Sequence, residues 1–188
     1  MFDKPEEYNP KEKKNFAKFM MRFIDIFLVR NDVPFFGKIA KKTRCFLARR
    51  ISKGIEKGAV IEKGAIIVPG VSCEAHGCIG INCVTCWGLH IKKHTMMGPN
   101  CHFYSFSHKR SKEGKFVFRG FENPNPIYIG PDCWIGYNVV VIGGVHIGEG
   151  CTIGASAVIT KDIPAFSLAA GNPAVVKKQY LPPKGYYE

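Results

Sequence analysis

The chain has 188 residues, 46% of them apolar, with 20 glycines and 12 prolines, which suits one domain with a sizeable core and many turns. Its net charge of +12 points to anionic surroundings such as nucleic acid, a membrane surface or phosphorylated ligands. No apolar run approaches the roughly 18–20 residues that span a bilayer, the opening MFDKPEEYNPKEKK is too polar for a secretory leader, and the eight cysteines are therefore expected reduced in a cytoplasmic protein.

Residues 1–63 hold +8 of the charge. Within 11–30, KEKKNFAKFMMRFIDIFLVR, the residues Phe16, Phe19, Met20, Phe23, Phe27 and Leu28 recur at spacings of three and four, predicting an amphipathic helix. Asn31-Asp32-Val33-Pro34 reads as a turn. Residues 36–50, FGKIAKKTRCFLARR, read as a second, strongly basic helix. Residues 1–52 thus form a helical, basic segment with two possible uses. It caps the open end of the domain that begins near residue 53 with a solvated basic face, which is the favoured reading, or it docks on an anionic membrane where a lipid-linked substrate resides.

From Ile55 a period of six sets in: Ile55, Ile61, Ile67, Cys73, Ile79, Thr85, Ile91, Met97 and Phe103. It stops over 104–126 and resumes without slip at Ile129, Ile135, Val141, Ile147, Ile153 and Ile159. Four residues after each anchor stands a small or β-branched residue, among them Ala59, Ala65, Val71, Cys83, Cys101, Cys133, Val139, Cys151 and Ala157. A period of six fits neither a helix nor a hairpin meander. It fits short parallel strands joined by tight turns, three to a triangular coil, with coils stacked about 4.8 Å apart. The two blocks make about five coils over 53–165, followed by a tail, 166–188, packed on them. Gly80, Gly98, Gly130, Gly136, Gly148 and Gly154 follow their anchors and are expected to supply backbone conformations that other residues avoid. Cys73, Cys83, Cys101, Cys133 and Cys151 fall on the inward phases and behave as small buried apolar residues. Cys78 and Cys86 lie off those phases, and Cys45 sits in the helical segment.

The break, YSFSHKRSKEGKFVFRGFENPNP, reads as a long loop at a corner of the coil, where a solenoid tolerates insertion and where such loops carry function. It opens with His108. The pairs His90/His108 and His76/His94 are each separated by one coil, so they stack rather than converge. His90 is either a neighbour that orients His108 or, the stronger reading, a surface rung. His102 and His146 read as turn residues.

Met97-Gly98-Pro99-Asn100 through His108, then Arg119-Gly120-Phe121 and Pro126, the run Ile129-Gly130-Pro131-Asp132-Cys133-Trp134-Ile135-Gly136, and the ending Val158-Ile159-Thr160-Lys161-Asp162-Ile163-Pro164 with Ala170-Gly171-Asn172-Pro173-Ala174 together resemble the hexapeptide-repeat acyltransferases, closest to sugar and polysaccharide O-acetyltransferases. The resemblance covers about 50–180. It implies an all-β, left-handed parallel β-helix, a hand that departs from the usual right-handed crossover, and a homotrimer using acetyl-CoA as co-substrate without a metal. By the same resemblance His108 is the general base that takes the proton from an acceptor hydroxyl as it attacks the thioester. An imidazole, ordinarily titrating near 6.5, suits that task. Trp134, Gly136, Tyr137, Ala155, Thr160 and Lys161 would line the CoA groove, with Lys161 and Lys178 meeting its phosphates. Asn82 and Asn100 orient substrate or serve as turn asparagines. Tyr137, Val175 and Cys86 depart from the pattern of many relatives, and Cys86 argues against simple galactoside or maltose acceptors and towards capsule, exopolysaccharide or lipopolysaccharide acceptors.

Three rivals remain open. An acetyltransferase of the same fold acting on serine, a xenobiotic or a nucleotide-linked amino sugar differs only in acceptor. A zinc carbonic anhydrase on a β-helix needs three ligand histidines, two of them five apart, whereas the close pairs here are His90/His94 and His102/His108. A non-catalytic scaffold or nucleic-acid binder would use the basic end, but no aromatic-basic interleaving for single strands is present, and no nucleic-acid partner is expected.

Overall fold

The computed structural model describes residues 15–27, 36–183 and 185. The proposed turn at 31–34 and both ends of the helix expected over 11–30 lie outside them. The described part of that helix, α1, runs Asn15–Phe27, and the basic helix, α2, runs Phe36–Ile51.

From Gly54 the chain winds as a parallel β-helix with three walls. Wall one stacks Gly54–Ile55, Ser72–Cys73, Leu89–Ile91, Ile127–Ile129 and His146–Ile147. Wall two holds Val60–Ile61 and Cys78–Ile79, then Met96–Met97, Trp134–Ile135 and Thr152–Ile153. Wall three holds His102–Tyr104, Val140–Ile142 and Val158–Ile159, with single bridges from Ile66 to Val84 and from Val84 to His102 below them. Paired residues such as Gly54 and Ser72, or Tyr128 and His146, are 18 apart, which is three hexads per coil. Across the break Leu89 pairs with Ile127, Met96 with Trp134 and His102 with Val140, each 38 apart, so the insertion adds 20 residues without disturbing the register.

The anchors and the small inward phase form one buried core. The inward polar side chains also tie coil to coil. The Cys83 thiol donates to the Gly98 carbonyl at 3.3 Å, Thr95 Oγ1 to Gly130 at 2.8 Å, Cys101 to Gly136 at 3.2 Å, Cys133 to Gly148 at 3.0 Å and Cys151 to Pro164 at 3.0 Å. These cysteines are therefore more than small apolar fillers: a thiol is a weak donor, and each satisfies a carbonyl of the next coil.

The glycines after the anchors have a different cause from the one expected. The left-handed backbone falls two residues further on, at Gly58, Gly64, Gly70, His76, Asn82, Gly88, His94 and Asn100, and again at Asp132, Asn138, Gly144, Gly150 and Ser156. Gly80, Gly98, Gly130, Gly136, Gly148 and Gly154 are not at positive φ. They are glycine because the next coil lies too close: a Cβ on Gly98 would sit 2.9 Å from the Gly136 carbonyl carbon, and one on Gly136 2.8 Å from Ala155 N.

The tail continues the fold. Ser167–Gly171 pairs in parallel with Thr152–Ile153, two residues short of a full coil at 16 (Thr152 with Leu168), and Ala174–Gln179 turns back antiparallel on it after a cis Asn172-Pro173 bond, extending wall two.

At the other end α2 lays Ala40, Arg44, Cys45, Ala48 and Ile51 against the first coil. Asp25 of α1 holds this cap together: one carboxylate oxygen accepts from Arg44 Nε at 2.7 Å, the other from the Gly64 amide at 2.9 Å. Arg44, read from the sequence as part of a solvated basic face, is 1% exposed.

Candidate functional site

The break at 104–126 is an arm with regular structure, not a loop. The chain leaves wall three after Tyr104 and enters wall one at Ile127, so the arm replaces the turn at one corner of the coil. Its root is fastened by Asn125 N donating to Ser105 O at 2.8 Å and Glu122 N to Ser107 O at 2.9 Å. Beyond, His108–Arg110 and Phe116–Phe121 pair antiparallel, His108 opposite Phe121 and Arg110 opposite Phe116. The returning Asn125 is keyed into the coil. A Cβ on Gly144, itself at φ +84, would lie on the Asn125 side chain, and the Gly144 amide donates to Asn125 O at 3.2 Å.

This hairpin sets His108. Its ring lies on that of Phe121, with centroids 4.7 Å apart and tilted by 33°, and Phe116 meets it edge-on at 6.4 Å. Arg110 covers the Phe116 ring at 4.1 Å and donates to Gly114 O at 2.8 Å. His108 is exposed. An imidazole so held can take a proton from a hydroxyl that reaches it from solvent or from a neighbouring surface. The aromatic support was missed in the sequence; the available signal was the concentration of phenylalanines, Phe116, Phe118 and Phe121, in the insertion that His108 opens.

The residues expected to meet CoA lie elsewhere. Trp134 is on wall two between Met96 and Thr152 and is 54% exposed. Tyr137, also exposed, and Ala155 occupy turns of successive coils at the corner between walls two and three, linked by Ser156 N donating to Tyr137 O at 2.7 Å. Gly136 is buried there, and its backbone is already engaged: N–H donates to Ile153 O at 2.9 Å, and C=O accepts the Cys101 thiol. Thr160 and Lys161 are exposed just past wall three. Lys178 sits opposite Leu168 on the returning strand, its ammonium 4.8 Å from the Tyr180 ring centroid. Asn82 and Asn100 stand at φ +54 and +59 in the same corner column as Asn138 and Ser156, a backbone demand that asparagine meets readily. In one chain, then, the Trp134–Tyr137–Ala155 patch and both asparagines share one corner, while His108 springs from another.

The remaining histidines do not converge on His108. His90 points out from wall one, Nδ1 2.7 Å from Ser72 Oγ and its ring stacked on Tyr128 at 4.7 Å, with His146 beyond Tyr128 at 4.5 Å. It is a rung, and burial lowers its pKa, with Lys92 adding to the effect. His102 and His146 lie on strands rather than turns. His76 and His94 do occupy turns and stack at 5.8 Å, and His94 Nδ1 is 3.3 Å from Asp132. Cys78 and Cys86 are pushed up to about 11 by burial, so both stay protonated thiols at neutral pH. Among the described residues of one chain no group of three or more His, Cys, Asp or Glu gathers to hold a metal ion.

Comparison with known proteins agrees with this architecture. Residues 126–161 match the family model described as bacterial transferase hexapeptide (six repeats). A protein of Staphylococcus aureus (strain COL), provisionally named an acetyltransferase, is 55% identical over 60 residues, 32% of this chain and 30% of the relative. The galactoside O-acetyltransferase of Lactococcus lactis is 35% identical over 91 residues, 48% of this chain and 43% of the relative. The matched stretches thus span less than half the length of either relative. The maltose O-acetyltransferase structure from Clostridium difficile 630 superposes with a TM-score of 0.70 at 24% identity, covering 89% of this chain and 86% of that one. A hexapeptide-repeat acetyltransferase from Vibrio cholerae, solved with acetyl coenzyme A, gives 0.68 at 21% identity over 95% of both chains. This likeness in fold implies a left-handed coil. The repeat and the corner arm define a β-helix of the kind these structures share, and residues 126–161 carry the hexapeptide repeat of bacterial transferases.

Proposed function

We propose that the chain is an acetyl-CoA-dependent O-acetyltransferase, acting in the cytoplasm on a hydroxyl of a sugar or polysaccharide, with His108 as general base. The observation that carries this reading is the placement of His108: the one long insertion in a register that steps by 18 residues up to the last coil presents one imidazole, braced by Phe121 and Phe116, at a corner of the coil. The names of the relatives, galactoside O-acetyltransferase among them, favour the same chemistry. A thioester is already activated, so a base together with a backbone N–H for the developing oxyanion suffices.

The division of residues between two corners supports a homotrimer. His108 and the Trp134–Tyr137–Ala155 patch would meet only if a second copy brings its arm to the first copy's patch. CoA would then lie between subunits, along Trp134, Gly136, Tyr137, Ala155 and Thr160, with its phosphates towards Lys161 and Lys178. Because both backbone groups of Gly136 already serve the coil, Gly136 contributes closeness of approach and the pantetheine arm must find its donors nearby. Asn82 and Asn100, on the patch side, would face the acceptor brought by the same neighbour.

The test is transfer of labelled acetyl from acetyl-CoA to a panel of saccharides, amino sugars, serine and xenobiotics, using the native chain and His108→Ala. Transfer to a saccharide hydroxyl that disappears in His108→Ala is expected. Transfer to an amine alone would move the chain to the N-acetyl class, and undiminished turnover in His108→Ala would remove the base.

A further inference from the structure

Helix α2 has an outer surface that the packing of the cap does not explain. Its inner side is used by the first coil. On its outer side Phe36, Ile39 and Phe46 are 61%, 49% and 53% exposed, and at 3.6 residues per turn they fall along one stripe. Lys38, Lys42 and Arg49 form a second stripe directly beside it. A purely solvated face would have no reason to keep three large apolar side chains in water. On α1, packed against α2, Phe19 and Phe23 are also exposed, their rings stacked at 6.2 Å.

Next to the cationic stripe, between α2 and the corner joining walls one and two, lies a groove of about 630 Å³. Lys38, Lys41, Lys42, Arg49 and Lys57 line it, Phe46 gives it an apolar wall, and no carboxylate takes part in the lining. Arg50 lies over the other part of the stripe, 5.0 Å from the Phe46 ring centroid.

We propose that this end of the molecule docks on an anionic lipid bilayer. The α2 helix lies in the headgroup plane with Phe36, Ile39 and Phe46 at the acyl boundary, and the groove receives the phosphate of an acidic lipid. Cations beside large apolar residues on one helix face are what an interfacial helix needs, and clustered Lys/Arg select acidic headgroups. The helix rests on the surface and does not insert, since no helix of the described residues is long and apolar enough to cross a membrane. A nucleic acid would use the cations and leave the apolar stripe in water. A second copy of the chain, meeting this face with its own, would set the same cations against one another. The inference is independent of the acetyl-transfer reading, and its readout needs no turnover.

The test uses the full chain and sedimentation with vesicles of phosphatidylcholine, with and without phosphatidylglycerol. Binding is expected only with phosphatidylglycerol, and to weaken at least about tenfold between about 0.05 and 0.5 M salt as the charges are screened. The triple variant K38E/K41E/K42E should lose binding by about tenfold or more. I39S/F46S should weaken it without any change of charge. K109E/K112E/K115E alters the net charge as much, but on the arm, and should bind as the native chain does. Circular dichroism checks that each variant is folded. Should the α2 charge variant fail to fold, the lipid-composition series and I39S/F46S still decide. No binding to phosphatidylglycerol vesicles at low salt overturns the proposal. So does equal loss in the arm variant, which would reduce the effect to net charge. Binding of inorganic phosphate without vesicle binding overturns it too, in favour of a soluble anion site, and α2-dependent self-association without lipid in favour of a copy-to-copy contact.

Discussion

On the coil walls, Ile135 is fully buried, stacked between Met97 below and Ile153 above, and its strand is bonded on both sides. In the arm, His108 has an exposed side chain on a two-stranded hairpin, and Phe118 at the other strand's centre is 88% exposed. The wall is made of interchangeable rungs in which each residue's role follows from its phase. The arm has no phase, and its one titratable ring is set by contacts that occur once. On the proposed reading the wall carries the stability and the arm carries the base, so substitutions at the buried anchors and at His108 should sort by region.

The largest expected effect is on the arm. His108→Ala should lower acetyl transfer by about 10²–10⁴-fold, the usual worth of a general base, with the thermal midpoint unchanged. A matching fall in stability would show that the arm and the wall are not separable. Next comes the wall: Ile135→Ala should cost about 4 kcal/mol in urea unfolding, because stacked anchors cannot collapse into the cavity. A cost well below about 1 kcal/mol would mean that the coil yields locally. Asp25→Ala should cost about 3 kcal/mol by removing the carboxylate that faces the buried Arg44, and Asp25→Ala with Arg44→Met should recover part of it. Within the wall, Thr95→Val keeps shape but strips the Gly130 carbonyl of its inward donor. About 1 kcal/mol is expected, and no loss would demote the inter-coil bonds to packing.

The smallest effect is a pH dependence. Burial lowers the pKa of His90, so the folded state resists its protonation while the unfolded state accepts it near the ordinary value of about 6.5. Above that value His90 contributes no pH dependence. As pH falls below about 6.5 stability should decline, levelling off once pH passes the lowered folded value. His90→Asn should flatten this part of the midpoint-against-pH curve, and a curve of unchanged shape would place the proton uptake at another group.

Several positions show where the sequence was legible. Ile55 to Phe103 and Ile129 to Ile159 could be assigned inward from spacing alone, and all are buried. Gly98 and Gly136 were visible as a pattern but not as a cause, because the crowding comes from a coil 18 or 38 residues away. Arg44 looked like its cationic neighbours, since its partner Asp25 lies on another helix. The strands of the arm, His108–Arg110 and Phe116–Phe121, carry no alternation strong enough to announce a hairpin.

The coil was readable without any structure, because a period of six constrains every rung in the same way and repetition makes a weak local signal unmistakable. The same period also isolated His108, as the histidine at the one break in that repetition. It took the folded chain to reveal that the break is a hairpin bracing His108 with Phe121. Folding alone placed Trp134, Tyr137 and Ala155 at a different corner from His108, and it turned Phe36, Ile39 and Phe46 outward beside the lysines of α2. Those outcomes depend on contacts between distant segments, and distance in sequence carries no period from which they could be read.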